Sequence, residues 1–101
     1  AAADHLVAHR HTMLLWNAVP GDFRDADGWV ATARSMLRDA RGPVALVLHD
    51  LPNGAMRHLD RFLGEAQQAG AHFGAAPSDD CMPLRRGIAS AAFAGYVSQA
   101  P

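Results

Sequence analysis

Two short and almost wholly apolar runs constrain the fold of this chain most. The first run, HTMLLWNAV, covers residues 11–19 and ends at Pro20-Gly21. The second run, VALVL, covers residues 44–48 and leads directly into His49-Asp50. Runs of this length, bounded by turn residues and rich in branched side chains, are typical of strands that are buried on both faces of a parallel sheet. We therefore expect two buried strands.

A helical pattern follows each of these runs. Residues 29–41 and residues 55–69 repeat apolar side chains at helical spacing, and a glycine ends each pattern. Residues 71–76, AHFGAA, carry a weaker strand pattern. The order strand, helix, strand, helix, strand favours parallel βαβ units, so we predict an α/β fold. The side chains placed to cap the helices are Asp25, Asp27 and Asn53.

The remaining segments carry simpler signals. Residues 1–9 are rich in alanine and indicate the end of a helix. Because they have little apolar face, we expect the chain to begin within an element. Residues 77–87 indicate a loop, and residues 88–99 a short helix.

Composition limits the partners of the chain. The 101 residues carry a formal net charge of −1, so we expect neither nucleic acid nor an anionic membrane surface as a partner. No apolar run approaches the roughly 18 residues that span a bilayer. The first ten residues have no basic segment of the kind that begins a signal peptide. The chain has one cysteine, Cys81, which permits neither an intramolecular disulfide nor a thiolate zinc cluster. The cysteine content therefore does not indicate a cellular compartment.

Polar side chains follow both apolar runs. Residues 17–22 come after the first run, and His49-Asp50 after the second. Functional groups collect at the carboxyl ends of parallel strands, and neighbouring strands bring these ends to one rim. A carboxylate beside an imidazole fixes its tautomer and stabilises its charged form, so Asp22 with His49 forms a plausible acid dyad. The simpler alternative is that His49 only forms a hydrogen bond at the end of a strand.

Taken together, these motifs resemble the polysaccharide deacetylase family, which is also known as the NodB-homology domain. VALVLHD, with a short loop and a helix that ends in Ala-Gly, is similar to the closing catalytic segment of that family. LLWNAVPGDF is similar to its preceding segment, and DDCMPLRRG to the tail of bacterial members. The resemblance covers residues 11–87. It implies that residues 1–101 are a single partial domain, the C-terminal βαβαβ portion of an irregular parallel β/α barrel of TIM-like type.

The resemblance also implies roles for five residues. His49 would be the general acid that protonates the departing amine, and Asp22 would orient it. Trp16, Phe23 and Val47 would form the apolar wall that receives the acyl methyl group. Phe23 stands where the family usually has Trp, and Val47 where it usually has Leu, and both keep the apolar character. The implied activity is metal-dependent hydrolysis of non-peptide carbon–nitrogen bonds, which deacetylates N-acetylated sugars or a related small amide.

The metal ligands of the family are not found in this chain. The family takes its catalytic base and ligands from Thr-Phe-Asp-Asp-Gly and His-x-x-x-His segments, with an Arg-Pro segment beside them, and none precedes His11 in the right place. We expect a divalent metal, zinc, in the complete enzyme, none on this segment, and packing against a missing N-terminal half of the barrel. His5 and His9 have the spacing of a zinc pair beside Asp4, but the sequence shows no third ligand, which favours an exposed helix end.

A second interpretation is a small α/β binding or interaction domain without catalytic activity. The absent metal motifs and the length of the chain favour it. This interpretation predicts a closed core, whereas a partial barrel predicts apolar strand edges that are exposed.

Overall fold

The computed structural model describes residues 2–75 and 77–97, which form two compact units. One unit combines residues 2–15 with residues 77–97, and the other consists of residues 16–75. The described elements are α1 (Ala2–Ala8), α2 (Trp29–Asp39), α3 (Leu59–Gln68), β1 (Leu84–Arg85) and β2 (Ile88–Ala89). The fold is therefore mixed, with helices and a short two-stranded antiparallel sheet. Within these ranges, none of the helices has the length and apolar character needed to cross a membrane.

The core of the second unit lies where α2 and α3 pack together. The Trp29 side chain is completely buried, and its ring centre lies 5.3 Å from that of Phe62. Its indole Nε1 donates a hydrogen bond of 3.0 Å to the carbonyl of Ala55, at the start of the 3-10 helix Ala55–His58 that precedes α3. A buried indole with a satisfied N–H combines a large apolar contact with a fixed orientation. The buried members of this core are Trp29, Val30, Ala33, Ala55 and Phe62.

The predicted cap of α2 is shifted by one turn. The helix begins after Gly28 without a side-chain cap bond. Asp25 instead accepts a hydrogen bond of 2.8 Å from the Gly28 N–H, in the turn before the helix. Asp27 forms exposed ion pairs with Arg57 and His58. The sequence indicated acceptors near the helix start, and local turn geometry decided which N–H they reach.

The two apolar runs pair in parallel, as the sequence predicted, but over a short length. Ala18 and Leu46 form a parallel bridge, and the Val47 N–H donates to the Ala18 carbonyl at 3.0 Å. The Asn17 side chain prolongs the pairing, because its Oδ1 accepts from the Ala45 N–H at 2.8 Å. With α2 between them in the chain, the two runs have the order and the parallel direction of a βαβ unit, but they are joined by a single bridge and do not form complete strands.

The prediction that residues 11–19 and 44–48 form complete, buried strands, and residues 71–76 a third strand, is wrong. In residues 11–19, the side chains of Leu14 and Trp16 are 61% and 54% exposed. Of the predicted strand 71–76, residues 71–75 form no ladder, and Ala76 lies outside the described residues. Burial on both faces requires neighbouring strands and a covering layer. The hydrophobic pattern indicates which segments favour such a layer, but within the described residues the two apolar runs form only isolated bridges.

The predicted helix end near residue 9 is confirmed, and it closes in a Schellman motif. The Arg10 N–H donates to the Val7 carbonyl at 3.1 Å, and the His11 N–H donates to the Leu6 carbonyl at 2.9 Å. Arg10 occupies the left-handed position with a φ of 56°. Glycine is the usual residue there, because a β-carbon makes this conformation costly.

A β-hairpin occupies residues where a loop and a helix were predicted. β1 and β2 are joined by a two-residue turn in which Arg86 and Gly87 have φ values of 50° and 82°. Positive φ at both positions matches the right-handed twist of the strands. The paired residues are Leu84 with Ala89 and Arg85 with Ile88.

The predicted boundaries around this hairpin are therefore wrong. The predicted loop 77–87 contains a 3-10 turn, Asp79–Cys81, as well as β1. The predicted helix 88–99 begins as β2 and continues as the 3-10 helix Ala91–Tyr96, while residues 98 and 99 lie outside the described residues. The sequence Arg-Arg-Gly does not predict a hairpin turn, because the usual sequence signal of a two-residue hairpin turn is Asn-Gly or Asp-Gly.

Replacement of Gly87 tests the contact between the hairpin turn and the end of α1. A β-carbon at Gly87 would lie 2.8 Å from the Val7 carbonyl oxygen and 3.0 Å from the Arg10 Cα, in addition to the strain at positive φ. We expect Gly87→Ala to lower the free energy of unfolding by about 2 kcal/mol or more in urea denaturation. Gly70→Ala is the matched control, because Gly70 also has positive φ but has open space around it. Equal losses in the two variants would contradict the role of the Val7 contact.

Candidate active site

Asp22 is the buried charged residue of the candidate site. It is only 1% exposed, and it follows the turn at Gly21, which has a φ of 84°. The Gly21 carbonyl accepts hydrogen bonds from the N–H groups of Arg24 and Asp25 at 3.0 and 2.9 Å. This turn fixes the backbone on both sides of Asp22, so its carboxylate is directed inward.

The carboxylate of Asp22 contacts His49 twice. Oδ2 accepts a hydrogen bond of 2.6 Å from the His49 backbone N–H, and Oδ1 lies 3.0 Å from the ring Nδ1. Because an ionised carboxylate only accepts, Nδ1 carries the proton in this contact. The His49 side chain is 40% exposed, and Nε2 has no hydrogen-bond partner among the described residues. The ring therefore has one anchored nitrogen and one available nitrogen.

The contacts with His49 control the ionisation of Asp22. Burial of the carboxylate raises the pKa of Asp22, but hydrogen bonds from the His49 ring and backbone and the attraction of the imidazolium charge together lower it. The net result is a pKa below the ordinary value of 3.8. Asp22 is therefore a carboxylate at neutral pH, and a buried charge of this kind requires its partners.

An aromatic ring covers one side of the imidazole. The ring centres of Phe23 and His49 are 5.1 Å apart, with planes inclined at 72° in an edge-to-face arrangement. The guanidinium of Arg24 lies 5.0 Å from the centre of the same phenyl ring on its outer side. Phe23 is 42% exposed, so it presents apolar surface beside the His49 ring.

The other two predicted wall residues are placed less closely. Residues two apart in an extended segment share a face, so Val47 and His49 lie on the same face, while Leu46 and Leu48 pack against the helical core. The Trp16 ring is exposed. Within the described ranges, no hydrogen bond or ring contact joins Trp16 to the Asp22–His49 pair. The structure thus brings Asp22, His49 and Phe23 into contact, but not Trp16.

Asn53 is a site residue that the sequence analysis identified only as a helix cap. Its Oδ1 accepts a hydrogen bond of 3.1 Å from the Ala55 N–H, which is the expected cap. Its Nδ2 also donates to the backbone carbonyl of Asp22 at 2.8 Å, across 31 residues of chain. An amide in the turn Leu-Pro-Asn-Gly signals local capping, and nothing in that pattern indicates a distant second partner.

The implied divalent metal does not fit the described residues around His49. Within residues 2–75 and 77–97, no three His, Cys, Asp or Glu side chains are arranged so that they surround a metal position. Both carboxylate oxygens of Asp22 already accept hydrogen bonds from His49. We therefore derive no step of the chemistry through a metal.

Comparisons of the chain with protein-family models, with curated proteins and with solved structures found no match. The resemblance to the deacetylase family therefore stays a prediction that rests on the order and spacing of its motifs. The hydrogen bonds between Asp22 and His49 are a structural observation that does not depend on this resemblance.

Replacement of Asp22 tests the energetic role of the buried carboxylate. In Asp22→Asn an NH₂ group faces one of the two His49 donors, so we expect a loss of about 2–3 kcal/mol in the free energy of unfolding at neutral pH. Because the folded pKa of Asp22 is lowered, its contribution is complete above the ordinary value of 3.8 and disappears as the pH falls through the lower folded pKa.

Urea unfolding at several pH values between about 7 and about 2 measures this difference. The wild-type advantage over Asp22→Asn should decrease below about pH 4. Asp50→Asn is the control, because Asp50 is exposed and should show little difference at any pH. A wild-type advantage that stays constant down to the lowest pH would exclude the ionised carboxylate as its source.

Proposed function

We propose that this chain is part of an amide hydrolase that deacetylates N-acetylated sugars or a related small amide, with His49 as the general acid. The observation that carries the proposal is the double hydrogen bond between the buried Asp22 carboxylate and His49. It gives an imidazole with a fixed tautomer, a nearby negative charge and one available nitrogen. These are the properties that general acid catalysis by histidine requires.

The chemistry assigned to His49 follows from the leaving group. When the carbon–nitrogen bond of an amide breaks, the nitrogen is a poor leaving group unless it receives a proton. The protonated ring donates its Nε2 proton to that nitrogen, so the products are a free amine and acetate, whose second oxygen comes from water. Asp22 accepts the Nδ1–H throughout and stabilises the imidazolium form before the transfer. Asp22 itself remains ionised.

The apolar surface beside His49 fits the acyl group of such a substrate. Phe23 contacts the imidazole ring of His49, and Val47 lies on the same face of its segment as His49. A methyl group gains about 0.8 kcal/mol when it leaves water for a surface of this kind. We assign Phe23 and Val47 to the acetyl methyl, and Trp16, with its exposed ring, to the same wall.

Two further features belong to the proposal. We infer that the parallel segments 16–19 and 44–48 are strands of an irregular β/α barrel, since their single bridge and the exposed side chains of Trp16 and Val19 suit a sheet with more strands. We also assign water activation, which the family achieves with a divalent metal such as zinc, to residues other than those described here. The N-terminal half of the barrel is the proposed partner of this segment.

Acetate release by the native polypeptide tests the proposed activity. The polypeptide that contains this sequence is purified from its source, supplied with zinc, and incubated with oligomers of N-acetylglucosamine. We expect acetate release, and we expect His49→Asn to lower kcat by about 10²–10⁴-fold, because the departing nitrogen loses its proton donor. His72→Asn is the matched control, since His72 is exposed and has no contact with the pair.

Two results would contradict the proposed activity. One is that the wild-type polypeptide releases no acetate from oligomers of N-acetylglucosamine or from other N-acetylated sugars and small amides. The other is an unchanged kcat in His49→Asn. Either result would favour the alternative, a small α/β binding domain without catalytic activity.

The mass of the native polypeptide tests the proposed barrel. Mass spectrometry of the intact denatured polypeptide from its source should give a value well above the 10.8 kDa of these residues, because the proposal requires further strands and a metal site. A mass that equals 10.8 kDa would exclude both the further barrel strands and the metal site. An upstream sequence with Asp-Asp and His-x-x-x-His segments would support the complete enzyme.

A further inference from the structure

Three histidines gather at the end of α1. The ring centres of His5 and His9 are 4.1 Å apart, and the ring of His11 lies 5.9 Å from the first and 6.2 Å from the second. All three residues are exposed, and all three belong to the unit that contains α1. We call these residues the histidine cluster. The proposed hydrolase activity does not use them.

The backbone at the end of α1 brings the three residues together. The His9 N–H donates to the His5 carbonyl at 3.0 Å, so the two residues are one helical turn apart on the same face. The Schellman motif then reverses the chain at Arg10. This reversal places His11 beside the other two rings. The sequence alone shows no third ligand for His5 and His9, because the apolar run that begins at His11 predicts a strand there.

One ring of the histidine cluster is already in a tautomer that suits metal binding. His9 Nδ1 lies 2.9 Å from the His5 carbonyl oxygen. A carbonyl oxygen only accepts, so Nδ1 carries the proton and Nε2 of the neutral ring has a free lone pair. Histidines that bind metals usually donate their other N–H to a backbone carbonyl or a carboxylate in this way.

We propose that His5, His9 and His11 bind a divalent transition metal ion such as Zn²⁺ or Ni²⁺, with water at the remaining positions. Imidazole nitrogens suit these metals, whereas Mg²⁺ and Ca²⁺ prefer oxygen ligands. The proposal does not depend on the proposed hydrolase activity. A bound metal would link α1 to the segment that follows it and would stabilise the Schellman motif.

The separations of the three rings are close to those of three imidazole ligands around one ion. A Zn–N bond of about 2.0–2.1 Å and tetrahedral angles place the centres of imidazole ligands roughly 5 Å apart. The observed separations of 4.1, 5.9 and 6.2 Å lie on both sides of this value. The rings are stacked as they stand, and no three donors in the described ranges surround a metal position. Metal binding therefore requires the three side chains to rotate about their torsions until one nitrogen of each ring is directed at the ion, and their exposure leaves room for such rotation.

Calorimetric titration of the full chain with ZnCl₂, and separately with NiCl₂, tests the proposal. We expect saturable binding with one ion per chain, and no binding of MgCl₂. Each of His5→Asn, His9→Asn and His11→Asn should weaken binding by about tenfold or more, because each removes one ligand. His72→Asn is the control, since it removes an exposed histidine outside the histidine cluster.

A second measurement identifies the ligand nitrogens. Imidazole ¹⁵N spectra of the full chain should show shifts for His5, His9 and His11 on addition of ZnCl₂, and no comparable shift for His72. The proposal is overturned if no saturable binding occurs, or if His72→Asn weakens binding as much as the cluster variants do. It is also overturned if His11→Asn leaves the affinity unchanged, because a simple helical histidine pair then explains the binding.

Discussion

The candidate site depends on one buried negative charge. The cost of removing a carboxylate from water is several kcal/mol in a protein interior, so the site forms only if strong donors replace the lost water. His49 provides two such donors, its backbone N–H and its ring Nδ1. The two donors come from the end of the second apolar run, while Asp22 follows the first. The contact between the Asp22 carboxylate and His49 therefore joins the ends of two segments that share a single backbone bridge.

A series of hydrogen bonds connects this charge to the hydrophobic core. The backbone carbonyl of Asp22 accepts from the side chain of Asn53, and the same side chain accepts from the Ala55 N–H. The Ala55 carbonyl in turn accepts from the indole of Trp29, which is fully buried against Phe62. Large apolar side chains thus fix the position of a polar turn, and the turn fixes the carboxylate. Such support from a second layer of residues is what keeps a functional group in one geometry.

The sequence predicted the helices, whose signal is local, and the contacts that follow from a parallel order of the two apolar runs. The helical spacing of apolar residues predicted α2 and α3, and the two apolar runs predicted a parallel pairing, which the structure forms at Ala18 and Leu46. Asp22 and His49 were paired because the carboxyl ends of adjacent parallel strands meet. The unpredicted parts depend on backbone conformation or on distant partners. Arginine in a left-handed position at Arg10 or Arg86 has no sequence signal, since glycine is the usual residue there.

The two groups of histidines show how burial decides what an imidazole can do. His49 is anchored at Nδ1 by a carboxylate that is itself buried, so its ring has one orientation and its free nitrogen has one direction. Such an arrangement suits proton transfer, which depends on fixed geometry. His5, His9 and His11 are exposed, and within the described residues a hydrogen bond anchors the ring of one of them, His9, to a carbonyl. Residues of the second kind are free to reorient around a metal ion, whereas His49 would lose its carboxylate contact if it did so.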